Sequence, residues 1–423
     1  MLEEYICPSR TDAPTKFKEV IYMKKLLALL LAGCMAFALC ACGTPAEPAE
    51  DSGEAAATGD TIVIGVFEPL SGDNGAGGKQ EVLGMQYANS VCPTIEIDGK
   101  TYNVKLEIAD NESSNDKAVS AATTLISKSP SIILGSYGSG VSIAASDTFE
   151  DAGVPALGVT CTNPQVTEGN SHYFRLAFLD PFQGTVLANF AKDELGATKV
   201  YCIGQLGNDY DQGLLNYFKQ AAEAAGIECV VESFPENNSD FNSYLTNAKN
   251  AGCDAIFAPT SISYAQLIVE QAAAQGITMP MLAPDTWDSN VILGAAQGKN
   301  LEIYVSTFYA EGGDPEFEAG IKAWINADET NLANNGGNDM LAAVTVMGYD
   351  AYFTALEAIK AAGSIAAADV MAALPGTTLT GITGPIAFDD IGDAAKDNAY
   401  IIKANTETGA FDFVKNQALA DLA

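Results

Sequence analysis

The chain has 423 residues, of which 48% are hydrophobic, and a length of this kind is divided among two or three cores. Asp and Glu total 54 against 21 Lys and Arg, so the formal net charge is -33. Nucleic acid repels so acidic a chain, which excludes general binding to it. The one histidine, His172, excludes a His-rich metal site and leaves a Ser-His-Asp scheme a single possible base. We therefore expect no metal, no cofactor and no nucleic-acid partner.

Residues 23–41 have the pattern of a secretory signal. Two lysines follow Met23, and the run Leu26 to Ala41 carries no charge. This run is shorter than the ~20 residues that span a bilayer. It ends in the sequence LCAC, which resembles a bacterial lipobox and predicts lipidation at Cys42. Cys34 fits the same pattern and is the alternative.

Two segments flank this signal. Residues 1–22 are polar and mixed, so we expect Met23 to be the true start and residues 1–22 to be a start-site artefact. Residues 42–60 are rich in Pro, Gly, Ala and Glu, a composition that predicts a flexible linker.

From Thr61 onward, short apolar runs alternate with segments of helical periodicity. In the first half we expect strands at Thr61–Phe67, Val104–Ala109, Ile132–Leu134 and Val154–Val159, and helices at Lys79–Ser90, Asp116–Ser129 and from about Ser139 to Asp151. The same alternation begins again after Asp180. There we expect helices at Phe182–Leu195, Gln212–Ala225, Phe241–Ala251 and Tyr264–Gln275, and strands at Lys199–Ile203, Glu228–Phe234, Ala255–Ala258 and Met281–Ala283. After about Val305 the order changes, with helices at Phe317–Asn326 and Met340–Ala362 and short strands at Tyr400–Ala404 and Phe411–Val414.

This alternation predicts an α/β fold. Strands separated by helices of 10–15 residues form parallel sheets with helices on both faces. We expect two doubly wound α/β lobes, with a seam near Leu179–Phe182. Ligands of open α/β sheets bind beyond the carboxyl ends of the strands, so the loops at those ends are the candidate site.

The sequence does not match the catalytic motifs that it most resembles, a phosphate-binding loop and a GxSxG nucleophile elbow. The segment Gly72–Lys79 has one residue too many for a phosphate-binding loop, and Gln80 stands where a Ser or Thr is required. Ser139 lacks the outer glycines of a GxSxG elbow. We therefore expect no catalytic residues and no enzyme activity; an exported α/β hydrolase is retained as an alternative.

Several ordered pieces resemble the leucine/isoleucine/valine-binding branch of the type I solute-binding proteins of ABC importers. The match covers about 61–414 and rests on these pieces in this order: Gly65–Gly72, Ile133–Ser136 with Ser139–Ser146, Thr162-Asn163-Pro164, Asp180–Gly184, Asp209–Gly213 and Gly381–Asp389. The resemblance implies the type I periplasmic binding protein fold, with lobe 1 at 61–180 plus 310–380 and lobe 2 at 181–309 plus 381–423, joined by a three-strand hinge.

The same resemblance implies a function. It implies a monomer outside the cytoplasm, anchored by its N-terminal lipid, that binds an amino acid and delivers it to an ABC permease. A sensory or chemoreceptor partner of the same fold is the alternative. Where the branched-chain binders carry an aromatic residue, Asn74–Gly78 is rich in glycine. A polar or different aliphatic ligand is therefore also open.

An amino acid needs donors for its carboxylate and acceptors for its ammonium group. A helix that begins near Ser139 offers backbone N–H groups and a hydroxyl, so Ser139 and Gly140 are carboxylate candidates. Thr160 and Thr162 present hydroxyl and backbone groups to both ends of the ligand.

The resemblance supplies the other candidates. It places Asp285 against the ammonium group, where a charged hydrogen bond is strong. Tyr210 is expected to lie over the ligand and Trp287 to line its side-chain pocket. Further candidates lie at the rim: Glu68, Tyr137 and Ser261.

Overall fold

The computed structural model describes residues 60–419. The predicted signal, the lipidation site Cys42 with its alternative Cys34, the segment 1–22 and the linker up to residue 59 lie outside the described residues, as does 420–423.

The first lobe begins with a mostly parallel sheet. Its elements are β1 (Thr61–Glu68), α1 (Gly75–Val91), β2 (Thr94–Ile97), β3 (Lys100–Asp110), α2 (Asn115–Ile126), β4 (Ile132–Leu134), α3 (Ser139–Asp151), β5 (Ala156–Gly158) and β6 (Tyr173–Arg175). The strand order is β2-β3-β1-β4-β5-β6, and β2 is antiparallel to β3. Ile62, Ile64 and Val66 of β1 are fully buried, as a strand covered on both faces requires.

The second lobe repeats the scheme. Its elements are α4 (Asp180–Asp193), β7 (Lys199–Gln205), α5 (Asp209–Ala224), β8 (Glu228–Phe234), α6 (Asn242–Asn250), β9 (Ala255–Phe257), α7 (Ile262–Ala274), β10 (Met281–Ala283), α8 (Asn290–Ala296) and β11 (Ile303–Thr307). The strand order is β15-β14-β11-β10-β9-β7-β8, in which the C-terminal strand β14 (Asn398–Asn405) pairs antiparallel with β11 and the last strand, β15 (Ala410–Ala418), pairs antiparallel with β14.

The chain then returns to the first lobe before it ends in the second. It forms α9 (Pro315–Asn326), α10 (Glu329–Asn334), α11 (Ala343–Ala362), α12 (Ala367–Ala373), β12 (Thr378–Gly381), β13 (Gly384–Ala387), β14 (Asn398–Asn405) and β15 (Ala410–Ala418). Two mostly parallel sheets flanked by helices confirm the predicted α/β class.

The polypeptide crosses between the lobes after β6, after β11 and between β13 and β14. The rings of Phe178 and Phe308 pack 4.4 Å apart beside the first two crossings. The third crossing is tied to β6 by Arg175, whose Nε and Nη2 donate to Asp393 Oδ1 at 2.9 and 2.6 Å. The backbone N–H of Arg175 also donates to the carbonyl of Gly392 at 2.8 Å.

The third crossing lies later in the chain than the sequence predicts. Residues 381–387, which the sequence places in lobe 2, pack against α11 of the first lobe. The backbone N–H groups of Ile382 and Thr383 each donate to the carboxylate of Asp350 at 2.8 Å. The sequence motif Gly381–Asp389 therefore lies just before the crossing. Its hairpin stays in the first lobe because it donates hydrogen bonds to the buried carboxylate of Asp350.

Among residues 60–419, no single helix has the length and apolar character needed to cross a membrane. Only α11 together with the segment 367–376, bent from it by 99°, passes that test as a pair.

Helices α1 and α11 approach closely because glycines lie at their contact. A Cβ on Gly84 would overlap the carbonyl oxygen of Thr345, and a Cβ on Gly348 would overlap the carbonyl oxygen of Glu81. The neighbour is backbone in both cases, so neither helix can yield without separating from the other.

We therefore expect Gly84→Ala to lower the free energy of unfolding by about 1–3 kcal/mol, since overpacking outweighs the gain in helix propensity. Urea unfolding measures the change. Gly294→Ala is the matched control: Gly294 is an exposed helical glycine in α8 with open space around it, and its replacement should be neutral or slightly stabilising. Equal effects of the two substitutions would contradict the close approach.

Candidate functional site

A cavity of about 600 Å³ lies between the two lobes. It is lined by the loops that follow strands of both sheets and by the first residues of the next helices, among them Asp73 and Asn74, Tyr137–Val141, Gln205–Tyr210, Ser261 and Thr286. The lobes meet around it: Tyr137 Oη lies 3.4 Å from the carbonyl of Thr286, and Asn163 Nδ2 donates to the carbonyl of Asp209 at 2.9 Å. The cavity therefore lies in a closed cleft.

The start of α3 forms one wall of the cavity. Residues 138–141 line it, and the N-cap residue Gly138 has no side chain with which to cap the helix. The backbone N–H groups of the first turn are thus available to an anion. Ser139 Oγ accepts from the N–H of Asn163 at 3.3 Å, which leaves its hydroxyl hydrogen for another acceptor. Ser139 and Gly140 lie where the sequence predicts.

Tyr210 enters the cavity from the second lobe and connects it to Asp285. Its hydroxyl donates to Asp285 Oδ1 at 2.8 Å, and Gln183 Nε2 donates to the same oxygen at 2.9 Å. Burial raises the pKa of Asp285 to about 6, although these two hydrogen bonds oppose the rise. Asp285 does not line the cavity itself. In this closed form it is connected to the cavity by its hydrogen bond with Tyr210, which does line it.

The two predicted threonines lie behind the wall. Thr160 donates its hydroxyl to the carboxylate of Glu81, and Thr162 is fully buried with its carbonyl accepting from the N–H of Asp180. Neither residue lines the cavity. They hold the loop after β5 in place beside Ser139, since Asn163 follows directly.

Trp287 belongs to the core of the second lobe. It is fully buried, and its Nε1 lies 3.3 Å from Thr260 Oγ1. The tight turn over Asp285–Trp287 exposes only its middle residue, Thr286, to the cavity. The structure thus brings together Ser139, Gly140 and Tyr210 from the predicted set, with Tyr137 and Ser261 from the predicted rim.

The sequence did not indicate that Glu81 supports the site. Glu68, expected at the rim, is fully buried and accepts from the N–H of Tyr137 at 2.8 Å, while Glu81 of α1 lies beside it. A carboxylate on the buried face of α1 is the signal that would have pointed to Glu81. The pair holds the loops after β4 and β5, which carry Tyr137 and Thr160.

Buried carboxyl groups dominate the electrostatics below the cavity. Burial raises the pKa of Glu81, of Asp180 and of Asp288 to about 7 in each case. Burial, and then repulsion from Glu81, raises the pKa of Glu68. The residues that line the cavity include no lysine, arginine or histidine. These buried carboxyl groups therefore bind a proton more readily than exposed ones do.

Across residues 60–419, no group of three His, Cys, Asp or Glu side chains has an arrangement that could hold a metal ion. The site is built from hydroxyl, amide and carboxyl groups.

A two-lobed α/β molecule with a polar cavity at the ends of both sheets has the architecture of a solute-binding protein. A family model described as "Periplasmic binding protein" matches residues 61–410, and the chain belongs to this family.

Relatives support the branch that the sequence predicts. The Leu/Ile/Val-binding protein homolog 1 of Brucella suis biovar 1 is 28% identical over 337 residues, which is 78% of this chain and 87% of that protein. The leucine binding protein LivK of Thermotoga maritima has a TM-score of 0.75 at 29% identity, covering 86% of this chain and 100% of that chain. LivJ of Streptococcus pneumoniae, a branched-chain amino acid transporter substrate binding protein solved with isoleucine, has a TM-score of 0.72 at 27% identity, covering 85% and 99%.

The buried carboxyl groups generate a pH prediction. The pKa of Glu81 is raised to about 7 and that of Asp285 to about 6, so the folded protein keeps protons that the unfolded chain has lost. This contribution to stability is complete below the unfolded pKa of about 4 and is lost as pH rises through 6 to 7. We expect the Tm of the ligand-free protein to fall by several degrees between about pH 5 and 8.

Glu81→Gln should make this decline shallower, because an amide accepts from Thr160 without binding a proton. Differential scanning calorimetry at several pH values measures the slope. Glu407→Gln, at an exposed position, is the control and should retain the slope of the unmodified protein. An unchanged slope in Glu81→Gln would show that this carboxyl does not titrate in the range.

Proposed function

We propose that this protein captures an amino acid, of the branched-chain type or a related small polar solute, between its lobes and delivers it to an ABC permease. The observation that carries the proposal is the convergence of two complementary groups on one closed cavity. The uncapped first turn of α3 comes from the first lobe, and Tyr210 with Asp285 behind it comes from the second.

These two groups suit the two ends of a zwitterion. The N–H groups of residues 139–141 and the hydroxyl of Ser139 donate to a carboxylate. On the opposite side the hydroxyl oxygen of Tyr210, polarised by Asp285, and the buried carboxyl groups attract an ammonium group. Thr160, Thr162 and Trp287 then support the site from behind, and Asp285 approaches the ligand directly only if Tyr210 turns aside.

The lining of the cavity is largely polar. Asn74, Asn115, Ser261 and Thr286 contribute to it, with Pro69, Val141 and Leu206 as apolar contacts. An aliphatic solute gains about 25 cal/mol per Å² of apolar surface buried, and polar walls supply little of that gain. A small polar amino acid is therefore the solute class that this lining favours. No chemical step is part of the proposal.

The family and the N-terminal pattern support a proposal for delivery and location. Two lobes that close on a solute present a different surface when closed, and a permease can recognise that form. We propose that the protein acts as a monomer outside the cytoplasm, held at the bacterial membrane by a lipid on Cys42. The leucine- and isoleucine-binding relatives, which share the fold over nearly their whole length, support this role.

A thermal-shift screen against the twenty amino acids and short amides tests the proposed ligand class. A solute present at 100 times its Kd should stabilise the protein by about 2.7 kcal/mol. The double substitution Ser139→Ala/Asp285→Ala should abolish that stabilisation, because it removes a carboxylate donor and the acid behind Tyr210. Ser146→Ala, on the same helix but bonded only to the carbonyl of Ile143, should retain it. A double variant that is still stabilised like the unmodified protein would refute the assignment.

Metabolic labelling with a fatty-acid analogue tests the anchor. In a bacterial host we expect Cys42→Ala to lose the label and leave the membrane fraction, since the lipid is attached to that thiol. Cys34→Ala should keep the label. The reverse pattern would assign the lipid to Cys34.

A further inference from the structure

The first loop of one lobe makes polar contacts with the start of a helix of the other. Asp73 and Asn74, which precede α1, lie against Ser261, Ile262 and Ser263 at the start of α7. The side chain of Asn74 accepts from the N–H of Ile262 at 3.2 Å and donates from Nδ2 to Ser261 Oγ at 3.3 Å. The carbonyl of Asp73 accepts from the N–H of Ser263 at 3.1 Å, and its Oδ1 accepts from Ser263 Oγ at 2.7 Å.

These contacts provide hydrogen-bond acceptors for the first N–H groups of α7, which in other helices come from a residue just before the helix. The first N–H groups of a helix have no partner within the helix and are usually capped by a side chain just before it. Asn208 caps α5 in this way, and Asp328 caps α10. Ser261 is the N-cap residue of α7 but its side chain makes no capping bond. Asp73 and Asn74 of the other lobe take that place, and we name this contact the interlobe cap.

We propose that the interlobe cap forms only when the lobes close, so that Asp73 and Asn74 help to set ligand affinity by stabilising the closed form. Opening the cleft separates the two lobes and leaves the first turn of α7 to water. The inference rests on the proposed function for its effect on affinity. Its effect on closure follows from the contacts alone.

The expected change in the equilibrium between the closed and open forms can be estimated from helix capping. Loss of a side-chain cap such as Asn74 lowers stability by typically ~1 kcal/mol, which is about fivefold in an equilibrium. Asp73→Ala keeps the backbone acceptor for Ser263 but removes the hydrogen bond from Ser263 Oγ, so the two substitutions together give about tenfold or more. The apparent Kd of a solute equals its intrinsic Kd divided by the fraction of protein that is competent to bind. A tenfold loss of closure therefore weakens binding by up to about tenfold without any change in the ligand's own contacts.

Asn74 is a clean position for the test, because its side chain makes no capping bond to its own helix α1. Removing it therefore leaves α1 intact. Asn74 and Asp73 also line the cavity, so a change in Kd alone does not separate a lost ligand contact from lost closure. The deciding measurements are made without ligand.

The experiment compares the full mature chain with Asp73→Ala/Asn74→Ala, Asn74→Asp and Asp328→Ala. The distance between spin labels on the two lobes reports the closed fraction, and amide hydrogen exchange reports protection at Ile262 and Ser263. The double variant should lose about tenfold in closed-to-open ratio and lose protection at these two amides. Asn74→Asp keeps the acceptor for Ile262 and should restore most of both. Asp328→Ala removes a cap within one lobe and should lower the Tm without changing closure.

A double variant with the closed fraction and the amide protection of the unmodified protein would overturn the inference, whatever its Kd. If the double variant fails to fold, Asn74→Ala alone is measured against Asn74→Asp by the same readouts. If no solute stabilises the unmodified protein, the proposed function fails. The distance and exchange measurements still decide the inference in that case.

Discussion

The buried guanidinium of Arg175 joins the hinge to the binding loops. It lies at the end of β6, donates to Asp393 in the third crossing and donates to the carbonyl of Asn163. The N–H of Asn163 in turn donates to Ser139 at the start of α3. Breaking a buried ion pair costs about 3–5 kcal/mol because one charge is left without a partner. The position of the third crossing and the shape of the cavity wall therefore depend on the same side chain.

Several carboxyl groups lie buried beneath the cavity, and burial raises the pKa of each of them. Glu68 and Glu81 lie in contact, and Asp285 lies across from them in the other lobe. The hydrogen bonds that these carboxyl groups make also hold the loops of Tyr137 and Thr160.

The alternation of strands and helices made the fold predictable, because each unit is local in the chain. Ser139 was predictable for the same reason, because it lies where a helix begins after a strand, whereas Tyr210 was expected from the family resemblance. The directions of Thr160, Asp285 and Trp287 were not, since a short irregular turn decides which of three successive side chains reaches the cavity. Contact of these residues with a ligand stays a prediction. The interlobe cap joins residues separated by 187 to 190 positions, and no local pattern reveals such a pairing.

Among residues 60–419, five helices begin at the same cavity. The N-cap residues of α1, α2, α3, α5 and α7 all line it: Asn74, Ser114, Gly138, Asn208 and Ser261. Each helix start carries about half a positive charge, so closure gathers about two and a half positive charges around one space. Five acidic residues line the same space: Asp73, Glu112, Asp116, Asp209 and Glu236. Asp116 and Asp209 lie in the first turns of α2 and α5, where the helix dipole favours negative charge. Part of the net charge of -33 thus lies beside helix N-termini at a cavity whose lining contains no basic side chain.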